Sequence, residues 1–256
     1  MTNRIILSVV SLWIITSFIP IQDKPTLYLI GDSTVKNGSG QGADKLWGWG
    51  SILADYLDTS QVRVVNKAIG GRSSRTFITE GRWKSVHDNL QPGDIVLIQF
   101  GHNDGGAIND DFRARGTIKG NGEEFMEIDN LLTKRREVVK SYGWYLRKYI
   151  ADTKAKGATP IVCSLVARNQ WDGNKVKRSD YAKWAEEAAK QEGAYFINLH
   201  ELVAEKYEKL GQGYVTDSLF LEDHTHTNRK GATINAQIVA LALSLLQDES
   251  IPSLVK

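Results

Sequence analysis

Five short runs along this chain, residues 26–30, 62–65, 94–100, 159–165 and 194–199, are apolar almost without interruption. A strand with one wet face alternates apolar and polar side chains, whereas a strand covered on both faces does not. Runs of this kind predict parallel strands lying between layers of helix. Stretches with helical period fall between them, at residues 46–57, 134–156, 180–192, 202–210 and 233–246, and Asn228 to Gly231 can open the last. Parallel neighbours need a crossover connection, and repeated strand-helix-strand units wind into a sheet with helices on both faces. The expected fold class is α/β, a three-layer flavodoxin-like sandwich around a five-stranded parallel sheet. Residues 105–130 show no clear period and are long for a connection, which marks a functional loop. No repeat and no Pro-, Gly- or Ser-rich linker divides the remainder, so residues 23–256 are expected to form one domain.

Residues 1–22 stand apart. Arg4 precedes a mostly apolar run over residues 5–21 with no Lys/Arg cluster after it, the pattern of a secretory signal peptide. The cleavage point is not fixed, because no small-x-small triplet precedes Asp23; an uncleaved anchor is the alternative. The expected location is therefore secreted or periplasmic. Lys and Arg number 32 against 30 Asp and Glu, a net charge of +2, which gives no electrostatic case for nucleic acid. A single cysteine, Cys163, excludes an internal disulfide and a cysteine-based zinc site. Within its apolar run it reads as a packed thiol.

Ligands of an open α/β sheet gather beyond the carboxyl ends of its strands, so the residues after each run carry the functional signal. Gly31-Asp32-Ser33-Thr34 follows the first, Asn66-Lys67-Ala68-Ile69-Gly70-Gly71-Arg72-Ser73 the second, and Gly101-His102-Asn103-Asp104-Gly105-Gly106 the third. Asp223-His224-Thr225-His226-Thr227-Asn228 lies near the C-terminus. Ser33 is a candidate nucleophile, a role that needs a base to take its proton; taken alone it reads equally as a helix N-cap. His226 is the candidate base, because Asp223 three residues earlier shares its face on a helical turn and can hold one ring nitrogen. His224, adjacent to Asp223, is the poorer base. The N–H groups of Ser33 and Gly71 and the side-chain amide of Asn103 are candidate donors to a developing oxyanion. Each residue has an ordinary turn or cap reading by itself; their convergence at strand ends favours a site.

The stretches GDSTV (31–35), NKAIGGRSSRTF (66–77), FGHNDGG (100–106) and DHTHTN (223–228) resemble, in this order, the four blocks of the SGNH (GDSL-type) hydrolases. Within that superfamily the wording is most similar to the rhamnogalacturonan acetylesterases, over essentially the whole chain after residue 22. The resemblance implies Ser33 as nucleophile, His226 as general base and acid, Asp223 as its orienter, and Ser33, Gly71 and Asn103 as the oxyanion hole. It also implies a three-layer sandwich, no cofactor, no metal, and an acetylated pectic polysaccharide as substrate. Fungal members carry disulfides, which this chain cannot form.

Sugar contacts are sought in Trp47, Trp49, Trp83 and Trp171, whose indoles can cover a ring, and in Arg72, Arg75, Arg82 and Arg168, which suit carboxylates. Arg72 and Trp171 are the preferred pair. Packing and solvation are the competing roles. Acetylated xylan or another acyl ester is the alternative substrate, with no nucleic acid and no protein partner implied. Two readings from other classes remain: a metal-dependent hydrolase using His102, Asp104, Asp223, His224 and His226, and a non-catalytic carbohydrate-binding module. The binding module does not explain why Ser33, Asp223 and His226 occur together.

Overall fold

Thr26–Gly31 forms the first strand, β1, and all six of its residues are buried. Leu27 and Leu29 join one hydrophobic cluster while Tyr28 and Ile30 join another on the opposite face. That division is the physical reason the run does not alternate. A computed structural model describes residues 24–246 and 254–255; the expected signal at residues 1–22 lies outside them.

In chain order there follow β2 (Arg63–Asn66), α1 (Ser74–Thr79), α2 (Arg82–His87), β3 (Ile95–Gln99), β4 (Phe125–Asp129), β5 (Arg136–Lys140) and α3 (Tyr142–Ala155). Then come β6 (Thr159–Cys163), β7 (Trp171–Asp172), β8 (Lys175–Val176), α4 (Asp180–Gln191), β9 (Tyr195–Ile197), α5 (Leu199–Leu210), α6 (Gln212–Leu219) and α7 (Arg229–Leu245). The central sheet has the order β2-β1-β3-β6-β9 and every pairing in it is parallel. Helices α1 to α4 cover one face, through Phe77, Trp83, Tyr149 and Ala188 among others. Helices α5 to α7 cover the other through residues such as Val203, Leu219 and Val239. This is the expected three-layer α/β sandwich. The strand order reverses between β1 and β3, and the pairing of Gly31 with Gln99 sets the loops after these two strands side by side. Such a reversal opens a crevice at the carboxyl edge.

Several elements differ from the sequence reading. Residues 46–57 form two 3-10 turns, Trp49–Ser51 and Leu53–Tyr56, instead of a helix. A Cβ on Gly48 would lie 2.3 Å from the Val35 carbonyl carbon, so the two backbones touch there, and Trp49 N–H donates to Thr34 O. The segment is spent on backing the loop after β1. The helix expected over residues 134–156 begins only at Tyr142, where the Ser141 side chain accepts from Trp144 N–H. The part before it is strand β5, paired antiparallel with β4, so residues 105–130 are not wholly irregular. Cross-strand pairing with β4, which no local period records, decides that segment. The short helices α1 and α2 and the helix α6 had no visible period.

Arg75 pins the β4–β5 hairpin and the loop before it to α1. It is fully buried, pairs with both oxygens of Glu137 at 2.7 Å, and donates to Ile108 O and Gly116 O at 2.8 Å. Burial would raise the Glu137 carboxyl, but Arg75 and Asn130 together hold it below its usual range. Cys163 is buried, which pushes its thiol well up and leaves it a packed side chain. Truncating Arg75→Ala leaves Glu137 without its counter-charge, and chemical denaturation is expected to show a loss of about 3–5 kcal/mol. A loss below about 1 kcal/mol would mean that the hairpin is held by other contacts.

Candidate active site

The turn after β1 is built on one buried carboxylate. Asp32 Oδ1 accepts from Thr34 N–H at 2.9 Å and from the Thr34 hydroxyl at 2.8 Å, while Oδ2 faces His102 Nδ1 at 3.2 Å. The other His102 nitrogen, Nε2, faces Val166 O at 3.1 Å. Both ring nitrogens thus face oxygen atoms of the protein. Burial alone would raise the Asp32 carboxyl, but His102 and Thr34 together hold it below the ordinary range. Gly31 is required just before, since a Cβ there would lie 2.5 Å from Gln99 O. Ser33 is thereby held almost buried at the sheet edge, 8% exposed.

Ser33 Oγ lies 2.8 Å from His226 Nε2, and His226 Nδ1 lies 2.6 Å from Asp223 Oδ2. The Asp223–His226 segment is a bend rather than a helical turn. Asp223 Oδ1 accepts from Thr225 N–H at 2.6 Å and His226 N–H at 2.7 Å, folding the loop over its own carboxylate. Burial would raise the Asp223 carboxyl, yet the hydrogen bonds from His226 and Thr225 outweigh it and keep it below the usual value. Thr227 pairs with Trp47 and Phe220, which ties this loop to the body of the fold. His224 is exposed, and its carbonyl accepts from Asn169 N–H.

Ser33, Gly71, Asn103 and His226 line one open cavity of about 550 Å³. Gly71 sits at φ 79°, in the left-handed region that favours glycine. The N–H groups of Ser33 and Gly71 donate to nothing among the described residues. Asn103 spends one amide hydrogen on Arg72 O at 2.9 Å, which fixes the side chain and leaves its second hydrogen free for a ligand. Three donors and a nucleophile–base pair therefore face the same space, the arrangement that acyl transfer requires.

The candidate sugar contacts separate sharply. Arg72 lines the cavity, although Glu80 takes its Nε and Gly70 O one Nη. Arg75 is wholly engaged by the hairpin, and Arg82 pairs with Glu80. Trp171 lines neither this cavity nor its neighbour; it packs on the core and donates to Asn169 Oδ1. Trp49 and Trp83 are buried, donating to Gln99 and Asp152, and Trp47 packs on the core. The metal reading finds no support either: among the described residues no three His, Cys, Asp or Glu side chains gather into a metal-holding group. His102 and Asp104 are turned to separate protein partners.

Residues 29–234 match the GDSL-like lipase/acylhydrolase family. The chain belongs to that family. A rhamnogalacturonan acetylesterase from Emericella nidulans is 34% identical over 222 residues, 86% of this chain and 85% of that one. A probable rhamnogalacturonan acetylesterase from Bacillus subtilis is 32% identical over 239 residues, 90% of this chain and 97% of that one. Among solved structures, the Bacillus subtilis protein YxiM superposes with a TM-score of 0.69 at 24% identity, over 86% of this chain and 56% of its own. An acetylxylan esterase from Geobacillus stearothermophilus gives 0.57 at 19% identity, over 90% and 97%; both are likenesses of fold. The protein is a carboxylic ester hydrolase.

Two features of this acylhydrolase were not legible in its motifs. Arg115 lines the cavity from the loop after β3, where the visible signal was only a long irregular stretch at a strand end. Asp104, beside Asn103, is completely buried and accepts from Ser74 N–H at 3.1 Å, the Ser74 hydroxyl at 2.5 Å and Gly101 N–H at 3.0 Å. Burial pushes its carboxyl up to about 7 despite these bonds, with nearby Asp32 adding to the rise. The folded value then exceeds that of an unfolded aspartate, ~3.9. The native state holds the extra proton, and this group's contribution to stability falls as pH rises from about 4 to about 7. Asp104→Asn cannot ionise. The stability of wild type relative to this variant, measured by denaturation at a series of pH values, is expected to decline across that window and level off above it. A difference that stays constant would show that Asp104 is ionised throughout.

Proposed function

We propose that this acylhydrolase removes acetyl groups from a pectic polysaccharide of the rhamnogalacturonan type. The observation that carries the chemistry is the 2.8 Å contact of Ser33 Oγ with His226 Nε2, in line with the 2.6 Å contact of His226 Nδ1 with Asp223. As Ser33 Oγ bonds to the acetyl carbonyl carbon, its proton passes to His226 Nε2. Asp223 holds the other ring nitrogen and stabilises the imidazolium that forms. The carbonyl oxygen becomes an oxyanion, received by Ser33 N–H, Gly71 N–H and the free hydrogen of Asn103 Nδ2. Collapse breaks the bond to the sugar oxygen, which takes the proton from His226 and leaves as a hydroxyl. Water then attacks acetyl-Ser33, giving its proton to His226, and acetate departs as the serine is restored.

Two relatives of rhamnogalacturonan acetylesterase name, at 34% and 32% identity, support the substrate class. The open, arginine-bearing cavity supports it too, being shaped for a polar polymer rather than a long acyl chain. This reading assigns residues 1–22 to export, since a polymer of this size meets its enzyme outside the cell.

Acetate release from acetylated rhamnogalacturonan, acetylated xylan and a small acetyl ester tests the assignment. Wild type is expected to favour the pectic polymer and to be indifferent to chelator. Ser33→Ala is expected to lose about 10⁶-fold in kcat, and Asn103→Ala about 10²–10³-fold. Asp223→Asn should fall short of the ~10⁴-fold loss of a fully buried triad aspartate, because its side chain is 44% exposed and water can stand in. Preference for xylan would discard the pectic substrate and keep the triad. Chelator-sensitive activity that survives Ser33→Ala would discard the mechanism.

A further inference from the structure

Beside the cavity at Ser33 lies a second, of about 440 Å³, a volume within the ~300–1,000 Å³ usual for small-ligand sites. His102, Arg115 and Arg168 line both, so the two spaces adjoin across these side chains. Among the described residues no Asp or Glu lines the second cavity, and Lys177 and Arg178 add to its basic wall. Of the arginines that line either space, Arg72 is paired with Glu80 and Arg178 with Glu201 and Glu208, while Arg113 lines only the first and lies over the Phe112 ring. Arg115 and Arg168 differ. Among the described residues neither has a carboxylate within ion-pair distance.

Each of these two guanidinium groups spends one nitrogen on a backbone carbonyl. Arg115 Nη1 donates to Gly71 O at 3.2 Å, and Arg168 Nη2 donates to His102 O at 3.0 Å. Most of the five N–H donors of each remain available. Arg115 is held half-buried, and burial together with neighbouring Arg113 lowers its proton affinity despite partial relief from Asp32, Asp104 and Asp110. A half-buried cation with spare donors and no carboxylate at ion-pair distance is incompletely compensated until a ligand brings negative charge. His200, also in this wall, does not share the role. Its Nδ1 faces Leu165 O and its Nε2 accepts from Ser179 N–H, and burial lowers its value, so it is neutral.

We propose that the second cavity is a carboxylate subsite, in which Arg115 and Arg168 hold an acidic sugar unit while an acetyl ester on the same chain lies at Ser33. This rests on the pectic reading above and goes further, because it assigns the choice of an acidic over a neutral polymer to two named residues. A planar guanidinium meets a carboxylate with two parallel hydrogen bonds, which a neutral sugar cannot match. The two carbonyls that hold these arginines belong to Gly71 and to His102, next to Asn103. A bound carboxylate therefore rests on the same loops that supply the oxyanion donors.

Direct binding tests the subsite apart from turnover. Calorimetry with wild type would compare an unacetylated galacturonate oligosaccharide with its methyl ester, in which every carboxylate is neutral, and with a xylo-oligosaccharide. The acidic ligand is expected to bind at least about tenfold more tightly than the other two, with the preference shrinking as salt is raised. In Arg115→Gln and Arg168→Gln, which keep a donor for the backbone carbonyl, the ratio of acidic to esterified affinity should collapse toward one. Equal affinity of wild type for the acidic and esterified ligands overturns the subsite, as does a preference that survives both substitutions. The wild-type comparison stands even if a variant fails to fold. Failure of the pectic reading shows separately, as absence of acetate release from the pectic polymer in the preceding assay.

Discussion

The buried Asp32 carboxylate is the constraint on which the site depends. It never meets water, and its partners are the Thr34 main chain, the Thr34 hydroxyl and His102. Through Thr34 it fixes the turn that presents Ser33. Through His102 it joins that turn to the loop after β3, where Asn103 sits, and His102 in turn reaches Val166 beyond β6. Three strand ends are thus tied at one point by hydrogen bonds that are worth most where water is absent. Such a network is costly if incomplete. Here the three side chains that build it find their partners within the protein, so Ser33 and the donors proposed to receive an oxyanion are set before a substrate arrives.

The continuous apolar runs told that strands were covered on both faces, and the sheet of five parallel strands follows from that alone. Polar residues after those runs pointed to the catalytic edge because side chains leaving neighbouring strand ends must meet there. What sequence did not reveal was set by contacts between segments, which no local period records. Residues 136–140 read as part of a helix until they pair with β4. Residues 46–57 gave up a helix because Gly48 has to touch the backbone of Val35. Asp223 and His226 meet as the spacing implied, but through a carboxylate-centred bend rather than a helical face. Trp171 and Arg75 illustrate the limit for ligand contacts: residue type says what a side chain can hold, and only packing says what it already holds.

The hairpin of β4 and β5, with the loop before it, is an addition to the sandwich that contributes Arg113, Arg115 and Leu132 to the edge of the cleft. It carries exposed apolar groups, Phe112 and Phe125 among them, and owes its position to the buried pair of Arg75 and Glu137. Ser33, Gly71 and Asn103 follow strands of the central sheet and His226 lies on the loop before α7, whereas this attached piece shapes one side of the approach.

Ser33 and His226 meet across 193 residues of sequence, while the three oxyanion donors all lie within the first 103 positions. A growing polypeptide therefore exposes its serine and the groups that would receive the oxyanion long before its base exists. Until the loop at Asp223 and the helix behind it have docked, the serine has nothing to take its proton. Hydrolytic power arrives as the last act of assembly, so turnover doubles as a report that the C-terminal part has been made and put in place, and an unfinished copy is inert by construction.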